Sequence, residues 1–235
     1  MQLINPNIDL SPYQSQLKEH SRIVINNFLV SDIAEQLRDC LLNNTPWDLA
    51  YFDDGHGVKL TNSERYNIGD HDLNRKIEQI KNCSPNEYQF LYDSYMIVTA
   101  YLEGRNKGHL LHQFLEAIND QPFLLAMKNL TQETGLLKID AQATRYAKGH
   151  FLKEHIDADS IEGRRFAYVL SLTKNWLPDW GGLLHFNNNN QVIETITPQF
   201  NTLSVFEVPQ EHFVSSVTGY AGEQRISITG WMYNK

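Results

Sequence analysis

Three features are scarce in this chain of 235 residues, and each scarcity excludes a class of protein. Only two cysteines occur, Cys40 and Cys83, which are too few for a disulfide framework and lack the pairing of a zinc ribbon. No apolar run approaches the roughly 18 residues of a membrane span, and the first ten residues lack the basic and apolar regions of a secretory signal. We therefore expect a soluble, cytoplasmic protein without a membrane partner.

Positive charge is also scarce. Lys and Arg number 20 against 28 Asp and Glu, which gives a formal net charge of −8. A protein that binds a polyanion usually carries the opposite balance, so nucleic acid is not expected as a partner. Hydrophobic residues make up 41% of the chain and aromatic residues 11%, enough for a folded core. We expect a single domain over residues 1–235; the oligomeric state stays open.

The sequence pattern changes from mainly helical to β-rich near residue 135. Before it the pattern is mainly helical: Asp32 and Glu35 have the spacing of a capping box, and further helices are predicted over 87–102, 109–118 and 122–133. After it, short β-rich runs alternate with turn residues. Strands are predicted at 137–146, 151–156, 166–173, 183–186, 192–197, 202–208, 213–218 and 225–233. This predicts an α+β fold, a double-stranded β-helix (jelly roll) of about eight strands over 136–235 with a helical layer (1–135) packed on one sheet.

His155-Ile-Asp157 places an imidazole and a carboxylate on the same side of an extended chain. Alone, this pair is equally consistent with a surface His beside a surface Asp. A facial metal site needs a third ligand from another strand, and His212, after the break at Pro209, is the candidate. Two imidazoles and one carboxylate with open positions are the arrangement of non-haem Fe(II) oxygenases.

The last predicted strand carries an unusual polar face. Alternation puts Arg225, Ser227, Thr229 and Trp231 on one side, where an Arg could clamp a carboxylate in a bidentate fork. A second polar face, with Gln142, Thr144 and Tyr146, follows from the alternation of the strand at 137–146. That face either is solvated or lines a cleft.

In order along the chain, these elements resemble the Fe(II)- and 2-oxoglutarate-dependent dioxygenases, specifically the prolyl-hydroxylase-like branch. The resemblance rests on His155-Ile-Asp157, Gly181-Gly182-Leu-Leu184, His212 and Arg225, with Lys174-Asn175-Trp176 before the Gly-Gly turn. Upstream, Ile25-Asn-Asn-Phe28-Leu29 and Phe90-Leu-Tyr-Asp93 resemble the leader of enzymes that hydroxylate a prolyl residue of a ribosomal protein.

The resemblance implies a role for each matching residue. It implies His155, Asp157 and His212 as iron ligands, Arg225 as the clamp on the far carboxylate of 2-oxoglutarate, and ascorbate as a reductant. Tyr146 and Ser227 are expected as secondary donors to 2-oxoglutarate. Related enzymes have a pocket Tyr where this chain has Leu170, and whether Tyr168 replaces it stays open. The weaker candidates for lining the cleft are Gln142, Thr144, Thr229 and Trp231. The loop at 158–165 could act as a lid over the cleft.

The family's chemistry converts 2-oxoglutarate and O2 to succinate and CO2 while an unactivated C–H bond is hydroxylated. The expected substrate is a prolyl or other residue of a protein or peptide; a small molecule such as a free amino acid is the second hypothesis. A cupin-like metal-binding module or a zinc hydrolase is the alternative from another class. Other polar residues receive structural interpretations: His109 and His112 on a solvated helix face, His150 in a loop, and His185 and Cys40 in packing.

Overall fold

The computed structural model describes residues 2–82, 87–157 and 163–235. The helices are α1 (Ser11–His20), α2 (Ser31–Asn43), α3 (Asn62–Ile68), α4 (Asp70–Lys81), α5 (Ile97–Leu102), α6 (Leu110–Ile118) and α7 (Gln121–Thr131). The strands are β1 (Arg22–Asn26), β2 (Asp48–Asp53), β3 (His56–Leu60), β4 (Phe90–Tyr95), β5 (Lys138–Ile139), β6 (Gln142–Tyr146), β7 (Phe151–Ile156), β8 (Arg164–Ser171), β9 (Leu184–Asn188), β10 (Gln191–Ile196), β11 (Thr202–Glu207), β12 (Glu211–Val214) and β13 (Arg225–Tyr233).

The strands form one curled antiparallel sheet in the order β1-β11-β8-β13-β6-β4-β7-β12-β9-β10. The β2–β3 hairpin extends it beside β4, and β5 pairs with the end of β13. Consecutive strands along the chain mostly lie apart in the sheet, as in a jelly roll. The predicted α+β double-stranded β-helix with a helical layer is confirmed, and the N-terminal segment adds strands β1 to β4 to it.

Strict alternation along the central strands separates the core from the site. On β13, Ile226, Ile228 and Met232 face a hydrophobic core that also contains Leu41 of α2 and Phe114 of α6. Burying each such side chain contributes roughly 1.5–3 kcal/mol, so the strands are held firmly against the helices. The alternate residues of β13 and β6 therefore point into the interior of the curled sheet.

Several predicted boundaries before residue 135 were wrong. The helix predicted over 87–102 is strand β4 followed by the short helix α5, because the side chains of 90–95 alternate between two packed faces. The predicted capping box is also absent: α2 begins after Val30, and no side chain caps it. In the second half, the strand predicted at 137–146 is split into β5 and β6, and the one at 213–218 is β12.

No helix in the described parts of the chain has the length and apolar character to cross a bilayer.

Candidate active site

His155 and His212 lie opposite each other on neighbouring strands. They are cross-strand partners of β7 and β12, and their ring centroids are 4.2 Å apart. Asp157, directly after β7, places one carboxylate oxygen 3.6 Å from Nε2 of His155 and the other 3.6 Å from Nε2 of His212. One ligand atom from each residue lies within 4.8 Å of the others, so the three can share one metal ion.

The backbone orients both imidazoles in the same way. Nδ1 of His155 donates to the carbonyl oxygen of Lys153 at 3.0 Å, and Nδ1 of His212 donates to that of Gln210 at 2.9 Å. These bonds assign the proton to Nδ1 and leave the Nε2 lone pairs pointing toward Asp157, the tautomer that a metal ligand needs. Burial and the nearby His155 lower the pKa of His212, which favours this neutral form.

Arg225, the first residue of β13, is a buried cation in the same cavity. One Nη1–H donates to the carbonyl oxygen of Gly182 at 2.7 Å, and the guanidinium lies 5.1 Å from the centroid of the Tyr146 ring. Burial lowers the pKa of Arg225, yet an arginine stays protonated. Its Nε has no partner, and no carboxylate of the described residues pairs with it. A buried charge without a paired carboxylate is costly, so this arrangement favours the binding of an anion in the cavity.

Polar residues of β6 and β13 form one wall of the cavity, which encloses about 850 Å³ including the solvent at its mouth. Thr144 Oγ1 lies 2.8 Å from Ser227 Oγ, so these two hydroxyls form a cross-strand pair. The indole Nε1 of Trp231 is buried without a partner. The structure places all of the following predicted residues around this cavity: His155, Asp157, His212, Arg225, Tyr146, Ser227, Gln142, Thr144, Thr229 and Trp231.

Tyr168 was expected to contact the co-substrate, with its replacement of the pocket Tyr of related enzymes left open. It borders the cavity, but its side chain packs in the core shared with the helices, and its hydroxyl donates to the carbonyl oxygen of Asp140 at 2.8 Å. Leu170 packs in that core too. Residues 168 and 170 lie on the face of β8 opposite the one that carries Ala167 and Val169, which line the cavity. A contact between Tyr168 and 2-oxoglutarate stays a prediction.

The remaining histidines and the cysteine do not belong to this site. His112 is buried, and its Nε2 lies 2.9 Å from the Tyr95 hydroxyl, so the solvated helix face expected for it was wrong. His150 lies between β6 and β7, and His185 stacks on Phe213. Cys40 packs in the core as expected. Of the lid loop proposed at 158–165, residues 158–162 lie outside the described residues.

Two tyrosines of the site were missed at the sequence level. Tyr88 and Tyr92 line the cavity, Tyr92 stacks on Tyr146 at 5.2 Å, and its hydroxyl bonds with Gln142. Both were assigned to the wrongly predicted helix. The aromatic residues alternating through 88–92 are a strand signal that could have placed them.

Residues 141–233 match the family model described as "2OG-Fe(II) oxygenase superfamily". The matched residues include His155, Asp157, His212 and Arg225. This similarity favours Fe(II) and 2-oxoglutarate as co-reactants over the binding-module and hydrolase alternatives. A curated relative, the prolyl 3-hydroxylase OGFOD1 of Xenopus laevis, is 29% identical over an alignment of 140 residues, and this alignment covers 56% of the chain. The chain spans about a quarter of that relative's length, since the match covers 26% of it.

Solved prolyl hydroxylases share the fold of this chain. A prolyl-4-hydroxylase from Pseudomonas putida superposes with a TM-score of 0.59 at 19% identity, covering 97% of this chain and 100% of its own. A Trichoplax adhaerens prolyl hydroxylase, solved with a peptide fragment of hypoxia inducible factor, gives a TM-score of 0.62 at 22% identity, covering 96% of this chain and 89% of its own. The fold is therefore that of the prolyl-hydroxylase-like oxygenases.

Proposed function

We propose that this protein is an Fe(II)- and 2-oxoglutarate-dependent dioxygenase that hydroxylates a prolyl residue of a protein or peptide. The observation that carries the proposal is the sharing of one cavity by two kinds of group. A His, His, carboxylate cluster stands at one wall, and Arg225, a buried cation lacking a carboxylate partner among the described residues, stands at another. Fe(II) requires the first kind of group, and 2-oxoglutarate, an anion, requires the second.

The residues present fit the iron. His155, Asp157 and His212 would hold it, because two neutral imidazoles and one carboxylate occupy one face of an octahedral ion and leave the other face open. When bound, iron would let O2 act as the oxidant: one oxygen atom would enter the substrate C–H bond, and the other would oxidise 2-oxoglutarate to succinate and CO2. Fixing both imidazoles through their Nδ1 bonds keeps the ligands oriented before the ion arrives.

The chain's own residues would bind and orient 2-oxoglutarate. Arg225 would hold the far carboxylate, because its unpaired Nε provides a charge-assisted donor inside the cavity. The paired hydroxyls of Thr144 and Ser227 would add donors beside it. The apolar residues Leu184 and Val214 line the same space and would exclude water from the bound carboxylate.

The prolyl substrate is supported by the similarity to OGFOD1 and by the fold shared with prolyl hydroxylases. The proposal extends to one domain over 1–235, since the largest hydrophobic core contains residues of both the helical layer and the jelly roll. It also includes ascorbate as a reductant. It further includes a cytoplasmic location, which the scarcity of cysteine supports.

The test is anaerobic addition of Fe(II) and then 2-oxoglutarate to the purified protein. We expect the weak visible charge-transfer band of the chelate, and its loss in Asp157→Ala, which removes a ligand and its charge. On admission of O2, the protein should form succinate with Fe(II) and not with Zn(II). Peptide products gaining 16 Da on proline would establish the substrate class. A flat spectrum would contradict the proposal, and a hydroxylated free amino acid would move the substrate to the small-molecule class.

A further inference from the structure

A patch of three aromatic side chains begins at the mouth of the cavity and includes two residues, Phe52 and Phe90, that do not line it. This aromatic patch consists of Phe52 on β2, Phe90 on β4 and Tyr88 just before β4. The ring centroids are 5.1 Å apart for Phe52 and Tyr88, 5.8 Å for Tyr88 and Phe90, and 6.1 Å for Phe52 and Phe90. Tyr88 is 38% exposed, and the two phenylalanines are partly buried, so the patch presents aromatic surface to solvent.

One face of the hairpin formed by β2 and β3 packs against α4. Leu49, Tyr51 and Leu91 pack against Ile77 and Ile80 of α4 in a separate hydrophobic cluster. Because side chains alternate along a strand, Phe52 and Phe90 belong to the other face. Neither of them belongs to any of the described hydrophobic clusters. The described residues thus leave part of this aromatic surface uncovered, although such a surface favours burial.

Gly57 keeps this surface open. It is the cross-strand partner of Phe52 on β3, and a Cβ added to it would lie 3.6 Å from Cζ of Phe90. A side chain at this position would therefore lie over the ring of Phe90. Position 57 is exposed and its φ is not positive, so a larger residue fits there without backbone strain.

The aromatic patch is continuous with the metal site. The ring of Tyr88 lies 6.0 Å from the ring of His155, and Tyr88 also lines the cavity that contains His155, Asp157 and His212. Phe52 and Phe90 lie beyond that cavity. The patch thus begins at the metal ligands and extends outward along the sheet.

We propose that the aromatic patch binds an extended, proline-containing segment of the polypeptide substrate next to the residue that enters the cavity. This inference rests on the proposed function and specifies how its substrate is recognised. Proline-rich segments adopt the polyproline II conformation before binding, so little conformational entropy is lost when they dock on aromatic rings. The polyproline II rise of about 3.1 Å per residue lets two to four residues cover the distances between the rings of the patch.

The position of the patch separates a polypeptide from a free amino acid. Of the three rings in the aromatic patch, a free amino acid in the cavity could contact only the ring of Tyr88, because Phe52 and Phe90 do not line the cavity. When a polypeptide places its prolyl residue in the cavity, the residues on either side of that proline must extend out through the mouth of the cavity. The patch lies along one such exit and offers the apolar contact that pyrrolidine rings can use.

The experiment measures binding of a ten-residue L-proline peptide by isothermal titration calorimetry, with a Gly-Ser peptide of equal length as the control ligand. We expect Gly57→Leu to weaken binding of the proline peptide at least tenfold by covering Phe90. Phe52→Ala should weaken it several-fold by removing one ring. The matched control is His56→Leu, which adds the same side chain one position away on the other face of β3. It should bind as the unchanged protein does.

The outcomes separate this inference from the proposed function. Conversion of 2-oxoglutarate to succinate without any peptide should be equal in Gly57→Leu and in the unchanged protein, which also shows that the variant is folded. If the proline peptide does not bind, or binds equally to Gly57→Leu and the unchanged protein, the inference is wrong, whatever the turnover of 2-oxoglutarate. If the protein fails to bind 2-oxoglutarate at all, the proposed function fails instead, while the peptide titration still decides the role of the patch.

Discussion

At the scale of single residues, the site depends on how a few side chains are kept ready for ligands that the chain does not supply. Arg225 is the clearest case. Its guanidinium is buried, one nitrogen is fixed by Gly182, and Nε is left for an anion. The sequence predicted the alternation that brings Arg225 to the polar face, since this depends only on the period of a strand. It did not predict the bond to Gly182, which joins residues 43 positions apart.

We expect Arg225→Lys to raise the KM for 2-oxoglutarate at least tenfold and to leave iron binding nearly unchanged. A lysine retains the charge but not the planar fork that matches a carboxylate with two parallel bonds. Titration of the charge-transfer band with 2-oxoglutarate, beside iron content after dialysis, measures the two effects separately. If Arg225→Lys loses as much iron as Asp157→Ala, the residue is not a clamp for the co-substrate.

Gly182→Ala tests the positioning of Arg225. Gly182 has φ near +62°, and an added Cβ would lie 3.0 Å from Val217 and 3.1 Å from Trp176. An alanine is disfavoured in this left-handed conformation by about 1 kcal/mol or more, so the peptide carrying the carbonyl acceptor should shift. We expect the KM for 2-oxoglutarate to rise roughly tenfold, the equivalent of about 1.4 kcal/mol, with a smaller change in kcat.

Gly219→Ala is the control for this substitution, because a Cβ there meets nothing within 4 Å and its φ is not positive. Equal changes of KM and kcat in Gly182→Ala, or the same defect in Gly219→Ala, would argue for a general loss of structure.

At the scale of elements, prediction succeeded where local pattern and packing agree. The central strands β6, β8 and β13 alternate clearly because each has one face on the core and one on the cavity. Prediction failed for β4, whose apolar residues suit a helix as well as a strand when read alone. Its partners β2 and β6 lie far away in the sequence, and only their pairing decides between the two. The same holds for β1, which pairs with β11.

The end of β13 is anchored by Asp140, between β5 and β6. Its carboxylate accepts from the backbone N–H of Trp231 at 2.6 Å and from the Tyr233 hydroxyl at 2.7 Å. Burial nevertheless raises the pKa of Asp140, so the folded protein holds the proton more tightly than the unfolded chain does. Stability contributed by this group is therefore lost as pH rises from the ordinary value of 3.8 through the raised pKa.

We expect Asp140→Asn to remove that pH dependence. The free energy of unfolding of the variant minus that of the unchanged protein should increase as pH rises through this window, and then stay constant. Urea unfolding of both proteins at a series of pH values measures it. A difference that moves the opposite way would mean that the hydrogen bonds from Trp231 and Tyr233 outweigh burial.

At the scale of the whole molecule, the curled sheet brings its two terminal strands together. β1 and β10 end the strand order, yet Arg22 of β1 forms an ion pair with Glu194 of β10. Arg22 also donates from Nη1 to Gln210 Oε1 at 2.7 Å and lies 4.8 Å from the centroid of the Phe186 ring. One side chain thus links the two ends of a sheet that encloses His155, Asp157 and His212.

Replacing Arg22 by alanine should loosen this closure. We expect a loss of about 1–2 kcal/mol from the hydrogen bond to Gln210, the contact with Phe186 and the ion pair together. For a protein of this size that corresponds to a melting temperature lower by roughly 2–8 °C. Glu194→Gln should cost only a few tenths of a kcal/mol, because Glu194 is 40% exposed and solvent screens the pair. Hydrogen exchange should accelerate in β1 and β10 and stay unchanged in β6 and β13, since those two strands lie in the middle of the strand order. Uniform acceleration across all four strands would show instead that the sheet opens as one unit and that Arg22 supports its overall stability.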